Sequence, residues 1–275
     1  MFILTALLVS SFVALQHGFD HWVEAEQGLN FVRVCGLIIR DVKFVSLVAR
    51  WSFEWGARSM GHVTRETNWC SIDIDTALGR VFLQERWQYQ WLVAAGQTAW
   101  TLEQKRNFHN RADRAIWAAW SNRIKLRAAG ASPFATRFNH RDIPINVDIR
   151  WVTARPHWNV NVTKIAPGAF ATSSVQWTAR IITLDSNDTN LRTFTGAAAG
   201  RPTTTQMPVA HEFGHALGNT SVLGRGDEYV AGSTNVADNA SIMNVGHGLR
   251  VRHFRTIIGE LDQMIPGTTF SVRSV

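Results

Sequence analysis

The residues with the clearest capacity for chemistry are two histidines and a glutamate in the segment His211-Glu212-Phe213-Gly214-His215. On a helix with 3.6 residues per turn, side chains four positions apart lie about 40° apart around the axis. The imidazoles of His211 and His215 therefore point the same way and can bind one metal ion. Glu212 lies beside them and can reach a water molecule on that metal. This is the HExxH spacing, in which two zinc ligands and a general base share one helical turn.

The residues around this motif predict that it lies on a helix. Apolar residues recur at helical spacing through residues 207–217, and Pro208 is tolerated in a first turn. The threonines at 203–205 are candidates for the N-cap, and Gly218 is typical of a helix end. A helix with two surface histidines is the alternative. We favour a metal site because polar groups on a mostly apolar helix need partners, and a metal ion supplies one.

A catalytic zinc takes three protein ligands and leaves the fourth position to water. Residues 218–229 contain three glycines, which allow the chain to turn back under the helix. Asp227 is then the expected third ligand, and Glu228 competes with it because either carboxylate binds zinc. A solvated acidic pair in a turn is the alternative. Tyr229 is either a hydrogen-bond donor to the oxyanion of amide hydrolysis or an ordinary half-buried tyrosine.

Three motifs together resemble the zincin superfamily of zinc metallopeptidases, close to its metzincin type: HEFGHALG, GDEY and SIMN. In metzincins the HExxH helix ends at a glycine, the chain turns to a third ligand, and a later tight turn places a methionine beneath the metal. The resemblance implies that Gly218 is this glycine, Asp227 an Asp-type third ligand and Met243 the methionine. The HEFGH and DEY motifs are also similar to families related to bacterial immunoglobulin-cleaving metallopeptidases.

One spacing departs from the metzincin pattern, which places the third ligand three residues after the glycine, here at Ser221. An insertion within residues 219–226 reconciles the two, since Gly224-Arg225-Gly226-Asp227 restores the local spacing from glycine to ligand. His247 and His253 stay alternative ligands because both follow the methionine turn. The resemblance covers residues 75–270 in layout, whereas the motifs lie only between residues 211 and 244.

The remaining pattern predicts an α+β fold. Strands are predicted at residues 81–92, 143–152, 158–162 and 175–184, and a capping box at Thr101 and Gln104 begins a long helix that runs to about residue 128. A final helix at residues 254–264 ends at Pro266. This order resembles the zincin/metzincin fold, a twisted mixed β-sheet with a long packed helix, an active-site HExxH helix and a C-terminal helix. Residues 175–184 are the candidate edge strand for pairing with extended substrate.

The length of 275 residues, 45% of them hydrophobic, predicts a globular chain with a substantial core. We divide it into an N-terminal extension at residues 1–75 and a zinc metallopeptidase domain at residues 76–275. Residues 1–15 are apolar like the core of a signal peptide but lack its basic start and cleavage site. The extension is thus interpreted as signal-like, propeptide-like or poorly ordered. A secreted or exported location is favoured, and no stable membrane span is expected.

Composition restricts the partners and the role of the unusual residues. The net charge of +7 favours acidic partners, and no basic-aromatic module of a nucleic-acid binder is present. Cys35 and Cys70 allow at most one disulfide bond. Cys70 is a candidate thiolate cap on the zinc, but a buried, idle cysteine is preferred. The 12 tryptophans are interpreted as core side chains rather than as a glycan-binding platform.

The sequence therefore predicts a monomeric, zinc-dependent metallopeptidase that acts on protein or peptide substrates. Zn²⁺ is held by His211, His215 and Asp227, and Glu212 is the general base. The alternatives are a non-catalytic zinc protein and a tryptophan-rich protein that binds surfaces or glycans. The cleavage specificity stays open.

Overall fold

One large β-sheet forms the centre of the part of the chain that the structure describes. The computed structural model describes residues 61–195 and 203–275. Its strands are β1 (His62–Glu66), β2 (Ser71–Asp75), β3 (Arg80–Val93), β4 (Lys125–Gly130), β5 (Ile143–Trp151), β6 (Trp158–Lys164), β7 (Ser174–Gln176), β8 (Ile181–Asp185), β9 (Arg192–Thr195), β10 (Thr203–Gln206) and β11 (Thr268–Ser274). Its helices are α1 (Leu102–Trp120), α2 (Pro133–Phe138), α3 (Pro208–Ala216) and α4 (Arg255–Leu261). The fold is α+β, with a core made mostly of sheet.

The central strand β3 is paired along both edges. On one edge, residues 81–87 pair in parallel with β5. On the other edge, residues 80–84 pair antiparallel with β2, and residues 87–93 pair in parallel with β6. Beyond β5 follow β4 and β11, and beyond β6 follow β8 and the antiparallel strand β7. Within the described residues, β7 therefore forms one edge of the sheet, while β9 and β10 make a separate hairpin.

Alternation of apolar and polar residues determines which face of each strand enters the core. Successive side chains of a strand point to opposite faces, so every second residue is buried. Val81, Leu83 and Trp87 of β3 follow this rule, as do Ile145 and Val147 of β5, and all five are at most 1% exposed. The strands predicted at residues 81–92, 143–152 and 158–162 are confirmed, with ends shifted by one or two residues.

The long helix α1 begins where its sequence predicts and ends earlier. The hydroxyl of Thr101 accepts from the amide of Gln104, whose side chain accepts from the amide of Thr101, both at 3.1 Å. The predicted continuation to residue 128 is wrong, because residues 125–130 instead pair with β11 as strand β4. Ser121 ends the helix, and its Oγ accepts from the amide of Val147 at 2.8 Å. Pairing between distant strands thus overrides a local helical pattern.

Two further predictions at the sheet edge need correction. Residues 175–184 are not one strand but two, β7 and β8, joined by a turn at residues 177–180. Arg180 has a positive φ of 56°, which reverses the chain, and its guanidinium lies 4.2 Å from the centroid of the Trp177 ring. The threonines at 203–205 are not N-caps, since they pair with β9 as strand β10. Helix α3 starts at Pro208, whose fixed φ and missing N–H suit a first turn.

The C-terminal segment contains a helix, as predicted, followed by a strand that was not predicted. A 3₁₀ turn at Val251–Phe254 precedes α4, and β11 then returns to pair with β4. At the other end, residues 62–75 form β1 and β2, which extend the same sheet through β3. The predicted domain boundary at residue 75 therefore falls inside a three-stranded meander. The interpretations of residues 1–60, including the apolar segment at 1–15, lie outside the described residues.

No helix within residues 61–195 and 203–275 has both the length and the apolar character that crossing a bilayer requires.

Candidate metal centre

The HExxH motif lies on helix α3, every residue of which is buried. Helix α1 packs on α3, and Trp120 donates from its indole nitrogen to the carbonyl of Ala210 at 2.9 Å. Gly214 is required by this packing. A Cβ atom at this position would lie 2.9 Å from the Trp120 ring and 2.5 Å from the sulfur of Met243. Glycine therefore lets a neighbouring helix and the methionine turn both approach the helix that carries the histidines.

The end of α3 orients one of these histidines. Gly218 has a φ of 96°, and its amide donates to the carbonyl of His215 at 2.9 Å. The amide of Asn219 reaches back to the carbonyl of Gly214 at 3.2 Å, which completes a Schellman motif. The carbonyl of Asn219 in turn accepts from Nδ1 of His215. The predicted helix end at Gly218 is confirmed, and the residue after it fixes the ring of His215.

The structure brings His211, His215 and Asp227 together. Nε2 of His211 lies 3.0 Å from Oδ1 of Asp227, and Nε2 of His215 lies 3.1 Å from the same oxygen. The two Nε2 atoms are 3.1 Å apart. Three electron-pair donors of these types at such short mutual distances can hold one metal ion.

The donor set fits zinc. Two imidazole nitrogens and a carboxylate oxygen form a typical catalytic zinc set, and tetrahedral bonds of about 2.0–2.1 Å separate the ligand atoms by about 3.3–3.4 Å. The observed separations of 3.0–3.1 Å are about 0.3 Å shorter. Small side-chain rotations cover this difference. His215 and Asp227 also line a cleft, from which a metal ion held by these residues would be reached.

Each histidine makes a hydrogen bond through Nδ1, which leaves Nε2 free to bind a metal ion. Nδ1 of His211 lies 2.6 Å from the carbonyl oxygen of Ile242, and Nδ1 of His215 bonds to the carbonyl of Asn219. A carbonyl oxygen only accepts, so each Nδ1 carries the proton. Each Nε2 therefore presents a lone pair, which is the tautomer that a metal requires.

The neighbouring carboxylate, Glu228, faces away from this group. Its two oxygens accept from the guanidinium of Arg252 at 2.5 and 2.7 Å, and Arg252 also donates to Asp238 at 2.7 Å. Burial raises the pKa of Glu228, but the hydrogen bonds from Arg252, His253 and Ser241 together outweigh it and lower this pKa to about 2. Adjacent acidic residues thus have different surroundings, since Asp227 faces the histidines and Glu228 an arginine.

The other candidate ligands also lie elsewhere. His253 is buried with its Nε2 3.2 Å from Oγ of Ser241, and His247 lies with its Nδ1 3.2 Å from the carbonyl of Thr205. Ser221, at the metzincin ligand position, is exposed on a 3₁₀ turn. The 3₁₀ turn and Gly224, which has a φ of 69°, lie between Gly218 and Asp227. They belong to the segment that separates Asp227 from the metzincin ligand position.

Glu212 lies beside the two histidines and is almost completely buried. Burial raises the pKa of its carboxyl, although the histidines act in the opposite direction. Its Oε2 is buried and has no hydrogen-bond partner among the described residues. A buried carboxylate oxygen without a donor is costly unless a water or an ion reaches it. One oxygen of Glu212 is therefore available to a water molecule or an ion in the cleft.

Glu212, His215, Asp227 and Tyr229 line an open cleft of about 940 Å³. Tyr229 is 41% exposed, and its ring centroid lies 6.2 Å from that of His211. Burial and the charge of Asp227 raise the pKa of its phenol above the ordinary value, so the hydroxyl keeps its proton. Ser174 and Val175 of edge strand β7 line the same cleft.

Comparisons of the chain with models of protein families, with curated proteins and with solved structures found no match. What can be said of this site rests on its own residues and their geometry.

Gln206, which lies just before helix α3, holds the turn at residues 241–246 that contains Met243, here called the methionine turn. Gln206 was not identified as a site residue from the sequence. Met243 is buried in a tight turn in which the amides of Asn244 and Gly246 both donate to the carbonyl of Ser241. Nε2 of Gln206 lies 2.7 Å from the carbonyl oxygen of Ile242 and 2.5 Å from that of Gly246. No local pattern distinguishes Gln206, because its partners lie 36 and 40 residues further along the chain.

The structure also shows where Cys70 and the tryptophans lie. Cys70 is buried against Thr67, with Sγ 3.8 Å from the Thr67 hydroxyl, and does not line the metal cleft. Of the tryptophans in the described residues, only Trp117 is largely exposed, at 47%. The others pack against the sheet or α1, as expected of core side chains.

Proposed function

We propose that this protein is a zinc-dependent metallopeptidase of the metzincin type. The observation that carries the proposal is the meeting of His211, His215 and Asp227 within 3.1 Å of one another. The protonated Nδ1 atoms support it, since both rings already present the lone pair that a zinc ion needs. The free oxygen of Glu212 supports a catalytic site over a structural one, because a structural zinc needs no carboxylate beside an open position.

The residues of the site have separate roles in this proposal. His211, His215 and Asp227 would hold a Zn²⁺ ion, which when bound would lower the pKa of a water molecule toward neutrality and polarise the scissile carbonyl. Glu212 accepts the proton of that water as its oxygen attacks the carbonyl carbon. Glu212 then gives this proton to the nitrogen of the leaving amine as the C–N bond breaks. Tyr229 donates a hydrogen bond to the oxyanion from the rim of the cleft.

The edge strand suggests how a peptide lies in the cleft. Ser174 and Val175 of β7 line it, and the outer edge of β7 is paired with no strand of the described residues. An extended peptide can add to such an edge through main-chain hydrogen bonds. In this proposal the peptide lies between β7 and the metal site; of the candidate edge strand at residues 175–184, only the part within β7 lies at the sheet edge.

The metzincin assignment is supported by the arrangement of particular elements. A helix with two histidines ends at Gly218, a loop returns an aspartate to them, and Met243 lies against that helix at Gly214. The mixed sheet ends at the antiparallel strand β7, whose Ser174 and Val175 line the cleft, and α1 packs on α3.

Hydrolysis of a denatured protein mixture by wild-type protein and by Glu212→Gln tests the function. We expect chelator-sensitive cleavage by the wild type, and a rate at least about 100-fold lower in Glu212→Gln with its zinc retained. Glu103→Gln, an exposed glutamate on α1, is the matched control and keeps full activity. Undiminished cleavage by Glu212→Gln would exclude this mechanism. Cleavage that persists in excess chelator would exclude the metal.

A further inference from the structure

Three arginines line the cleft, and within the described residues one of them is paired with carboxylates. Arg225, Arg252 and Arg255 all line the cleft. Arg252 forms ion pairs with Glu228 and Asp238 at 2.5 and 2.7 Å. Neither Arg225 nor Arg255 has a carboxylate within ion-pair distance in residues 61–195 and 203–275. Two positive charges on one side of the cleft are thus left without a partner.

Arg225 is held in place by neutral groups. One nitrogen of its guanidinium donates to the carbonyl of Gly218 at 3.0 Å and to the hydroxyl of Thr256 at 2.5 Å. Its Nε is buried without an acceptor in the described part of the chain. Neutral acceptors fix the position of a guanidinium without cancelling its charge. Arg225 is therefore an ordered cation within a few residues of the proposed metal site.

Arg255 lines the same cleft beside Thr256. It directly precedes Thr256, which binds Arg225, and its side chain is exposed. Arg225 and Arg255 therefore lie on the same wall of the cleft. Two like charges at short range destabilise each other unless an anion lies between them. Such a pair is a favourable site for a carboxylate, which binds guanidinium groups through two hydrogen bonds.

The other acidic residues of the cleft do not fill this role. Three carboxylates line it, and Asp227 and Glu212 face the proposed metal while Glu228 is paired with Arg252. We propose that Arg225 and Arg255 form a subsite for a carboxylate of the peptide substrate, supplied by an acidic side chain or by the C-terminus. This deepens the proposed peptidase function and rests on it, because the subsite lines the same cleft.

Peptide binding to Glu212→Gln protein tests this subsite without cleavage. The probes are fluorescein-labelled, otherwise uncharged peptides with an amidated C-terminus, in which one glutamate is moved through every position. A matched set carries glutamine, and one glutamine peptide has a free C-terminal carboxylate. We expect at least one carboxylate position to lower the Kd by about tenfold relative to glutamine, as measured by fluorescence anisotropy. The glutamate set and the free carboxylate distinguish the two sources of the charge.

Charge reversal then assigns the effect to these arginines. Arg255→Glu, in the Glu212→Gln background, is expected to abolish the preference for the carboxylate. Arg106→Glu makes the same change at an exposed arginine of α1 that lies outside the cleft, and is expected to alter Kd by less than about twofold. The subsite is overturned if no carboxylate position improves binding. It is also overturned if Arg106→Glu weakens binding as much as Arg255→Glu.

Failure of the subsite and failure of the peptidase function remain distinguishable. If carboxylate peptides bind as expected and zinc-loaded wild-type protein does not cleave them, the subsite is supported and the peptidase function is excluded. If the wild type cleaves glutamate and glutamine peptides equally and binds them equally, the peptidase function is supported and the subsite is excluded.

Discussion

Nδ1 of His211 donates to the carbonyl oxygen of Ile242, 2.6 Å away, and this bond joins the metal helix to the methionine turn. The same carbonyl accepts from the side-chain amide of Gln206 at 2.7 Å. The orientation of a proposed zinc ligand thus depends on a residue that does not touch the metal position. Partners of this kind fix the tautomer and the ring orientation of metal-binding histidines.

Gln206→Ala is therefore expected to weaken zinc binding by about 10- to 100-fold while the protein stays folded. The cause is the loss of the donor that holds the Ile242 carbonyl, which in turn holds the ring of His211. Zinc competition with a chromophoric chelator measures the affinity, and circular dichroism confirms the fold. Gln90→Ala removes an exposed glutamine of β3 and serves as control. Equal zinc affinity in Gln206→Ala and wild type would contradict the account.

Asp227 and Glu228 are adjacent, so replacing each in turn separates the third ligand from its neighbour. Asp227→Ala is expected to lower zinc affinity by more than about 100-fold, since it removes a direct ligand. Glu228→Gln is expected to keep zinc but to lower the free energy of unfolding by about 2 kcal/mol, because it breaks a charged bond to Arg252. Metal analysis and urea unfolding give both quantities. Loss of zinc in Glu228→Gln with retention in Asp227→Ala would reverse the assignment.

Replacing each of two helical glycines by alanine is expected to change the free energy of unfolding in opposite directions. Gly214→Ala places a Cβ 2.5 Å from the Met243 sulfur and is expected to lower the free energy of unfolding by about 1–3 kcal/mol. Gly259→Ala on α4 meets nothing within 4 Å, so it is expected to raise that free energy by up to about 1 kcal/mol through helix propensity. Urea unfolding of both variants measures the two changes. A neutral Gly214→Ala would mean that the methionine turn does not pack against α3.

Ionised Glu66 of β1 is expected to stabilise the fold, and this stabilisation is expected to be lost in acid. Burial raises its pKa, but bonds from Arg86, Ser71 and His157 outweigh this and lower the pKa from 4.5 to about 2. A carboxyl with a lowered pKa stabilises the fold above its unfolded pKa, and this contribution is lost as the pH falls toward its folded pKa. Because the side chain is 55% exposed, solvent screening limits the contribution to about 1 kcal/mol.

Glu66→Gln is accordingly expected to be less stable than wild type at pH 6 by about 1 kcal/mol and equally stable near pH 2. Urea unfolding across this range measures the difference, and Glu103→Gln is the control for loss of an exposed carboxylate. A difference that stays constant from pH 6 to pH 2 would show that the ionised form of Glu66 is not what stabilises the sheet.

Local patterns predicted the central parts of the fold because those parts obey a simple periodicity. The alternation in β3, β5 and β6 is regular, since one face of each strand enters the core. The capping box of Thr101 and Gln104 marks the start of α1 through contacts three residues apart. What failed depends on distant partners. Residues 125–128 were predicted as the end of the long helix, but they belong to strand β4 because β11, about 140 residues later, pairs with it.

In the site, too, local spacing predicted some residues, while others depend on partners that are distant in the chain. His211, Glu212 and His215 lie on one helical turn, so their spacing alone predicts their proximity. The sequence could not choose between Asp227 and Glu228, because the choice is made by Arg252, which pairs with Glu228 from the other side of the methionine turn. Gln206 and the arginines of the proposed subsite have no local sequence pattern, since Gln206 and Arg225 bond to residues that only the fold brings near.

The zinc content of the purified protein tests the central claim most directly. Plasma mass spectrometry should find one zinc per chain in the wild type and none in His211→Ala, with the fold of both checked by circular dichroism. His140→Ala, at an exposed histidine outside the cleft, should keep one zinc. A folded wild-type protein that holds no zinc, even after incubation with Zn²⁺, would contradict the proposed metal centre and the hydrolysis that depends on it.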